Sequence, residues 1–202
     1  MSEAKLFIIS GPSAVGKGTI VKRIIEAEDD VHLSVSATTR EPRPGEQDGV
    51  NYYFLTDDEF RARIDASGFL EYASVHGHFY GTPKAPVLDK LKEGHDVILE
   101  IDVQGAMQVK ESYPDGVFIF ILPPSLGELR NRIVHRGTES EADIELRMGK
   151  AEAEMDYLSH YDYYVINDDL EQAIESVYAI IEAEHHSVND AAAVLSRIKG
   201  EN

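Results

Sequence analysis

The chain contains no cysteine, which excludes a disulfide framework, thiolate metal ligands and a cysteine nucleophile together. No apolar run reaches the length of a membrane helix. The first strand-like segment also begins too near the N-terminus for a signal peptide, so a cytoplasmic protein with no membrane partner is expected. Basic residues are scarce: 19 Lys and Arg stand against 37 Asp and Glu, a formal net charge of −18. Such a chain repels nucleic acid over most of its surface, which sets nucleic acid aside as a partner. Internal repeats and low-complexity tracts are missing as well. What remains is 202 residues with an ordinary apolar fraction of 43%. That is enough for one α/β core with room for a small insertion, as a monomer or a homodimer.

Against this acidity the clustered arginines stand out. Arg40 and Arg43 follow Ser36 closely, and Arg130, Arg132, Arg136 and Arg147 form a second group. Phosphate binding is one reading of each cluster, and solvated pairing with neighbouring acids is the other.

The most specific local pattern is Gly11-Pro12-Ser13-Ala14-Val15-Gly16-Lys17-Gly18-Thr19. Before it, Leu6 to Ile9 reads as a buried strand; after it, Ile20 to Ile25 carries apolar residues at helical spacing. Strand, glycine-rich loop and helix together are the context of a phosphate-binding loop. The glycines let successive N–H groups turn toward one anion, the helix adds its positive end, and Lys17 adds a mobile charge. The usual form places Ser or Thr directly after the lysine to meet Mg²⁺. Here that place is Gly18 and the hydroxyl comes one residue later, at Thr19.

Beyond the loop, strands alternate with helices, which predicts a parallel sheet covered on both faces. The expected order is a short strand over 32–36, a polar loop over 41–49 and a strand over 51–55. A helix capped by Thr56 then runs to about 66, followed by strands over 69–76 and 78–80. Residues 37–83 are strand-rich with short turns and read as a subdomain inserted into a scaffold of 1–36 and 84–202. That scaffold resumes with a helix over 84–93, strands over 97–101 and 117–122, and a helix from Ser125 to His135. A long helix over 141–159, a strand over 163–166 and a helix over 170–185 complete it. The tail beyond Ser187 is expected to be peripheral or frayed.

In Arg40-Glu41-Pro42-Arg43 the proline rules out a regular helix and leaves both guanidiniums on a rigid loop, where they can converge on one oxyanion. Tyr52 and Tyr80 offer hydroxyls nearby, although core packing explains either as well. His76, His78, His185 and His186 lack the carboxylate or cysteine spacing of a metal site.

Taken in order, these motifs are specific. The phosphate loop, Ser36-Ala37-Thr38-Thr39-Arg40 through Arg43-Pro44-Gly45-Glu46, Tyr80-Gly81-Thr82, Glu100-Ile101-Asp102-Val103-Gln104-Gly105, Arg136-Gly137-Thr138-Glu139 and Val165-Ile166-Asn167-Asp168-Asp169 resemble those of the guanylate kinases. The resemblance covers roughly residues 5 to 185. It implies a P-loop three-layer α/β fold with a parallel central sheet, an inserted mixed-β GMP-binding subdomain and a helical lid near 136–147. It also implies phosphoryl transfer from ATP to GMP in purine nucleotide metabolism, with Mg²⁺ accompanying ATP.

By the same resemblance, residues 11–19 with Arg132 and Asn167 bind ATP, Asn167 near the adenine. Arg40, Arg43, Tyr52 and Tyr80 grip the GMP phosphate, while Ser36, Glu71 and Thr82 read guanine. Glu100 and Asp102 orient GMP or hold the water shell of magnesium, with Thr19 and Asp102 nearest the metal. Lys17, Arg40, Arg136 and Arg147 carry the catalysis. The chemistry agrees, since a carboxylate such as Glu71 can accept from guanine N1–H and the 2-amino group together. Two alternatives stay open: a monophosphate kinase with another base preference, and a related module that binds phosphopeptides without catalysis.

Overall fold

The structure, a computed structural model, describes residues 4–135, 140–188 and 191–200. The chain begins with β1 (Leu6–Ser10), α1 (Lys17–Ala27) and β2 (Val31–Leu33). A strand-rich block follows: β3 (Ala37–Thr38), β4 (Tyr53–Phe54), α2 (Asp57–Asp65), β5 (Phe69–Val75) and β6 (His78–Pro83). Then come α3 (Lys84–Lys92), β7 (Asp96–Glu100), α4 (Val103–Ser112), β8 (Val117–Leu122), α5 (Leu126–Val134) and α6 (Glu141–Met155). A 3-10 turn at Asp156–His160, β9 (Tyr163–Ile166), α7 (Leu170–His185) and α8 (Ala191–Lys199) close the chain.

The main sheet has the order β2-β7-β1-β8-β9, and every pairing in it is parallel. Strands in such a sheet are buried on both faces, and alternate residues of β1 serve opposite layers. Phe7 and Ile9 join one apolar cluster with Ile20, Ile24, Ile119, Met148 and Val177. Leu6 and Ile8 join the other, with Val87, Leu99, Val109 and Phe118. Helices α1, α6 and α7 therefore cover one face, and α3 and α4 the other. From β1 the chain crosses to β2 on the β7 side, and the later crossover from β7 to β8 passes back over β1, so the strand order reverses there. The C-terminal end of β1 is the crevice where open α/β sheets bind ligands.

The second sheet, in the order β4-β3-β6-β5, mixes one parallel pairing (β3 with β4) with antiparallel ones. It has its own small core, in which Phe60 stacks on Phe69 at 4.3 Å and on Phe79 at 5.3 Å. Thr56 and Glu59 close a capping box on α2, as the position of Thr56 before an acidic first turn requires.

Several expected boundaries shift for identifiable reasons. The strand expected over 32–36 ends at Leu33, because the Ser36 carbonyl already accepts from Tyr53 N–H at 2.9 Å in the small sheet. The strand over 51–55 contracts to Tyr53–Phe54. The helix expected to reach 159 ends at Met155 and tightens into the 3-10 turn. Helix α4 had no expectation at all. Helix α8 leaves Leu195 and Ile198 exposed. Among the described residues, no helix is long and apolar enough to cross a membrane.

Candidate active site

The glycine-rich loop leaves β1 at the crevice. A side chain at Gly11 would place Cβ 2.3 Å from the Ile121 carbonyl oxygen, so only glycine lets the loop pass so close to β8. Gly16 has φ +96°, and a Cβ there would meet Asn167 Nδ2 at 2.5 Å. Gly16 offers no capping side chain, which leaves the positive end of α1 open to an anion. Lys17 Nζ donates back to Gly11 O at 2.5 Å and Pro12 O at 3.0 Å. Its charge is thereby stationed over the loop. Pro12, Ala14 and Val15 are buried, whereas Ser13, Gly18 and Thr19 are exposed.

Two distant elements brace this loop. Asn167, 6% exposed at the end of β9, donates Nδ2 to Val15 O at 2.7 Å. Arg147 on α6 donates Nη2 to Ser13 Oγ at 2.9 Å, across 134 positions of sequence. Arg132 is held instead by Glu128 on its own helix, Nε to Oε1 at 3.0 Å. Arg130 ties α5 to α6 through Glu141 and Glu145. Arg136 and residues 137–139, with the centre of the expected lid, lie outside the described residues.

Gly18 explains the departure from the usual loop. A Cβ at this position would lie 3.2 Å from Glu100 Oε1, so the missing side chain makes room for the Glu100 carboxylate beside the first turn of α1. Desolvation pushes the Glu100 carboxyl above its ordinary range, and the charge of Lys17 pulls against it.

The small sheet supplies a second group of candidate residues. Thr38 is fully buried; its Oγ1 accepts from Arg40 N–H at 3.1 Å and donates to Phe79 O at 3.0 Å. This pins the arginine loop to β6. Arg40 Nη2 meets both Glu46 carboxylate oxygens, at 2.9 and 3.0 Å, and Nη1 donates to Glu41 O at 2.6 Å. The guanidinium lies 5.5 Å from the centre of the Tyr52 ring, which packs edge-on against Tyr80 at 6.1 Å. Arg40, Tyr52 and Tyr80 therefore form one cluster, with the exposed Arg43 beside it. Sequence spacing assigns Glu46 no role. Geometry makes it the residue that orients Arg40, and its place at the end of the Arg43-Pro44-Gly45-Glu46 motif was the signal.

On β5 and β6, Thr82 Oγ1 donates to Glu71 Oε1 at 2.6 Å, with both residues buried. Burial pushes the Glu71 carboxyl up; the Thr82 bond opposes the shift and the negative charge of Asp102 adds to it. Asp102 caps α4, accepting from Gly105 N–H at 2.8 Å. Ser36, half-buried, sits on the link between the sheets. Glu100 thus faces the loop while Asp102 neighbours Glu71, and the two halves converge on one strand end.

The histidines are engaged elsewhere. His185 Nε2 pairs with Asp96 Oδ2 at 2.6 Å, His186 Nδ1 meets Glu182 O at 2.9 Å, His76 lies in the β5–β6 turn and His78 opens β6.

The arrangement can hold an anion chain at the α1 end, a second phosphate at Arg40, and a base with paired donors at Glu71. Known proteins resemble the chain over nearly its whole length. A family model described as guanylate kinase matches residues 3–184. The guanylate kinase of Caldanaerobacter subterraneus subsp. tengcongensis is 55% identical over 197 residues, covering 98% of this chain and 96% of the relative. That of Clostridioides difficile is 51% identical over 184 residues, covering 91% and 90%. The crystal structure of guanylate kinase from Anaplasma phagocytophilum superposes with a TM-score of 0.71 at 32% identity, covering 92% of this chain and 88% of that one.

Proposed function

The chain belongs to the guanylate kinase family and is an ATP:GMP phosphotransferase, and we propose that it divides its substrates between the glycine-rich loop and the small sheet. ATP occupies the loop, with its phosphates on the backbone amides of residues 11–19 and on Lys17, whose present carbonyl acceptors a phosphate oxygen replaces. Asn167 holds the loop at its adenine side. GMP occupies the small sheet, with its phosphate on Arg40, Arg43, Tyr52 and Tyr80 and its base on Ser36, Glu71 and Thr82. The observation that supports this division is the convergence of both halves on Glu100 and Asp102.

Transfer is direct. A GMP phosphate oxygen attacks the γ-phosphorus in line as the bond to the β,γ-bridging oxygen breaks, and ADP leaves with that electron pair. Catalysis comes from positioning and from charge placed around the moving group. Lys17 and Arg147 supply that charge beside the loop, and Arg136 and Arg132 add to it. Arg147 already touches Ser13, so its part of the site is assembled before substrate arrives.

The oxygen donors present, the Thr19 hydroxyl and the Asp102 and Glu100 carboxylates, fit a hard cation that keeps its water shell. Magnesium, when bound with ATP, neutralises phosphate charge, and Thr19 and Asp102 would hold it through water.

Coupled measurement of ADP formation with GMP, AMP, UMP and CMP tests the reading, together with Lys17→Ala. GMP is expected to be preferred strongly, and the variant to lose at least about 100-fold in turnover. Preference for AMP, or near-normal turnover without Lys17, overturns it. Retained phosphopeptide binding without ATP binding would point to the non-catalytic module instead.

A further inference from the structure

Glu71 stands on a strand whose outer backbone is paired by side chains of a helix. Among the described residues β5 is the outermost strand of the small sheet and pairs only with β6. Its ladder is irregular between Phe69 and Glu71. Such an irregularity re-aims a side chain, and the ladder alone does not fix where it points. On the open side of β5, helix α4 does the work of a missing strand. Gln108 accepts from Tyr72 N–H through Oε1 at 3.0 Å and donates from Nε2 to Tyr72 O at 3.1 Å. Ser112 Oγ donates to Leu70 O at 2.8 Å. The residues held in this way flank Glu71 on both sides.

The same face of α4 also shapes the space for the carboxylate. A Cβ on Gly105 would lie 3.2 Å from Glu71 Oε2. Asp102, Gly105, Gln108 and Ser112 follow one another at helical intervals of three and four, so they share one side of the helix.

We propose that Gln108 is a positioning residue for guanine specificity. With Ser112 it fixes the backbone on either side of Glu71, so that the carboxylate meets the N1–H and 2-amino edge of the base. The inference rests on the reading of Glu71 as the group that recognises guanine. Gln108 acts through Glu71 and touches no substrate. Its two hydrogen bonds need one donor and one acceptor in register, which an amide provides and a carboxylate or an aliphatic side chain does not.

The test compares GMP with IMP, which lacks the 2-amino group, in steady-state kinetics of Gln108→Leu, Gln108→Glu, Ser112→Ala and Glu71→Ala. Gln108→Leu should raise KM for GMP about tenfold, leave KM for ATP unchanged and shrink the GMP:IMP preference by about the same factor. Gln108→Glu, which keeps the acceptor and loses the donor, should fall between it and the parent. If the Leu variant does not fold, Gln108→Glu and Ser112→Ala supply the same ratio. Loss of thermal stability with an unchanged GMP:IMP ratio in the Gln108 variants, while Glu71→Ala collapses that ratio, would overturn the role given to Gln108. An unchanged ratio in Glu71→Ala would instead overturn the reading of Glu71 on which it rests.

Discussion

Arg40 and Glu46 form a two-pronged pair, Nη2 lying 2.9 and 3.0 Å from the two carboxylate oxygens, and Glu46 takes a further bond from Arg43 N–H at 2.7 Å. Glu46 thus serves both arginines of the loop, one through its side chain and one through its backbone. Its carboxyl is held below the ordinary range, first by Arg40 and then by that N–H. A depressed carboxylate keeps its pairing above the ordinary carboxylate range and loses it only as pH falls through the lowered value. The pair therefore stays intact across neutral and mildly acidic pH. Glu46→Ala should free Arg40 from its orientation and raise KM for GMP about tenfold while KM for ATP stays put. The two side chains are only 14% and 19% exposed, so removing one partner should also lower the melting temperature. Initial rates at varied GMP and ATP separate the two effects.

Glu71 behaves in the opposite sense. Its folded-state pKa is raised, by burial first, so the folded protein binds this proton more tightly than the unfolded chain does. The site consequently costs stability once pH has risen through the raised value, and the cost disappears below the unfolded value. Glu71→Gln removes the buried charge and keeps an oxygen for the Thr82 hydroxyl. The variant should melt higher than the parent at neutral pH and lose that advantage in acid. It should also lose kcat/KM for GMP by about 100-fold, because an amide cannot accept from both guanine donors. In the parent, KM for GMP should rise on acidification at a pH above the ordinary carboxylate range. Melting curves and KM against pH check both halves.

Much of this fold is legible locally. The strand, glycine-rich loop and helix at residues 6–27 use short-range rules, and Thr56 announces its own helix. Helix α4 was not legible. Its buried Val103, Ala106 and Val109 follow three-residue steps too short to establish a period, and Gly105 lowers the helical propensity of the segment. The space Gly105 leaves for Glu71 becomes visible only when β5 is packed beside it. Within the candidate site, motif residues can be named from order along the chain, but their partners cannot. Ser13 and Arg147 are 134 positions apart, and nothing near either one signals the other. Gly18 reads as a missing hydroxyl in sequence, and only the fold places the Glu100 carboxylate in the space it leaves.

Gly16 and Asn167 pack closely in the loop, and each constrains the other. The Asn167 amide occupies the position that a Gly16 Cβ would fill, at 2.5 Å, and donates to Val15 O at 2.7 Å. Gly16→Ala adds a side chain at a positive φ, costing about 1–2 kcal/mol in backbone strain, and drives the amide off the carbonyl. Asn167→Ala leaves the backbone conformation alone but orphans a buried carbonyl, costing about 1–3 kcal/mol. Both variants should raise KM for ATP while KM for GMP holds, and Gly16→Ala should be the worse in both stability and ATP use. Combining them should cost less than the sum of the two, since the alanine at 167 clears the space that the alanine at 16 needs, leaving the strain at φ +96° and the orphaned Val15 carbonyl. A double-mutant cycle on melting temperature and on KM for ATP measures the coupling. Strict additivity would show that the amide does not shape the loop.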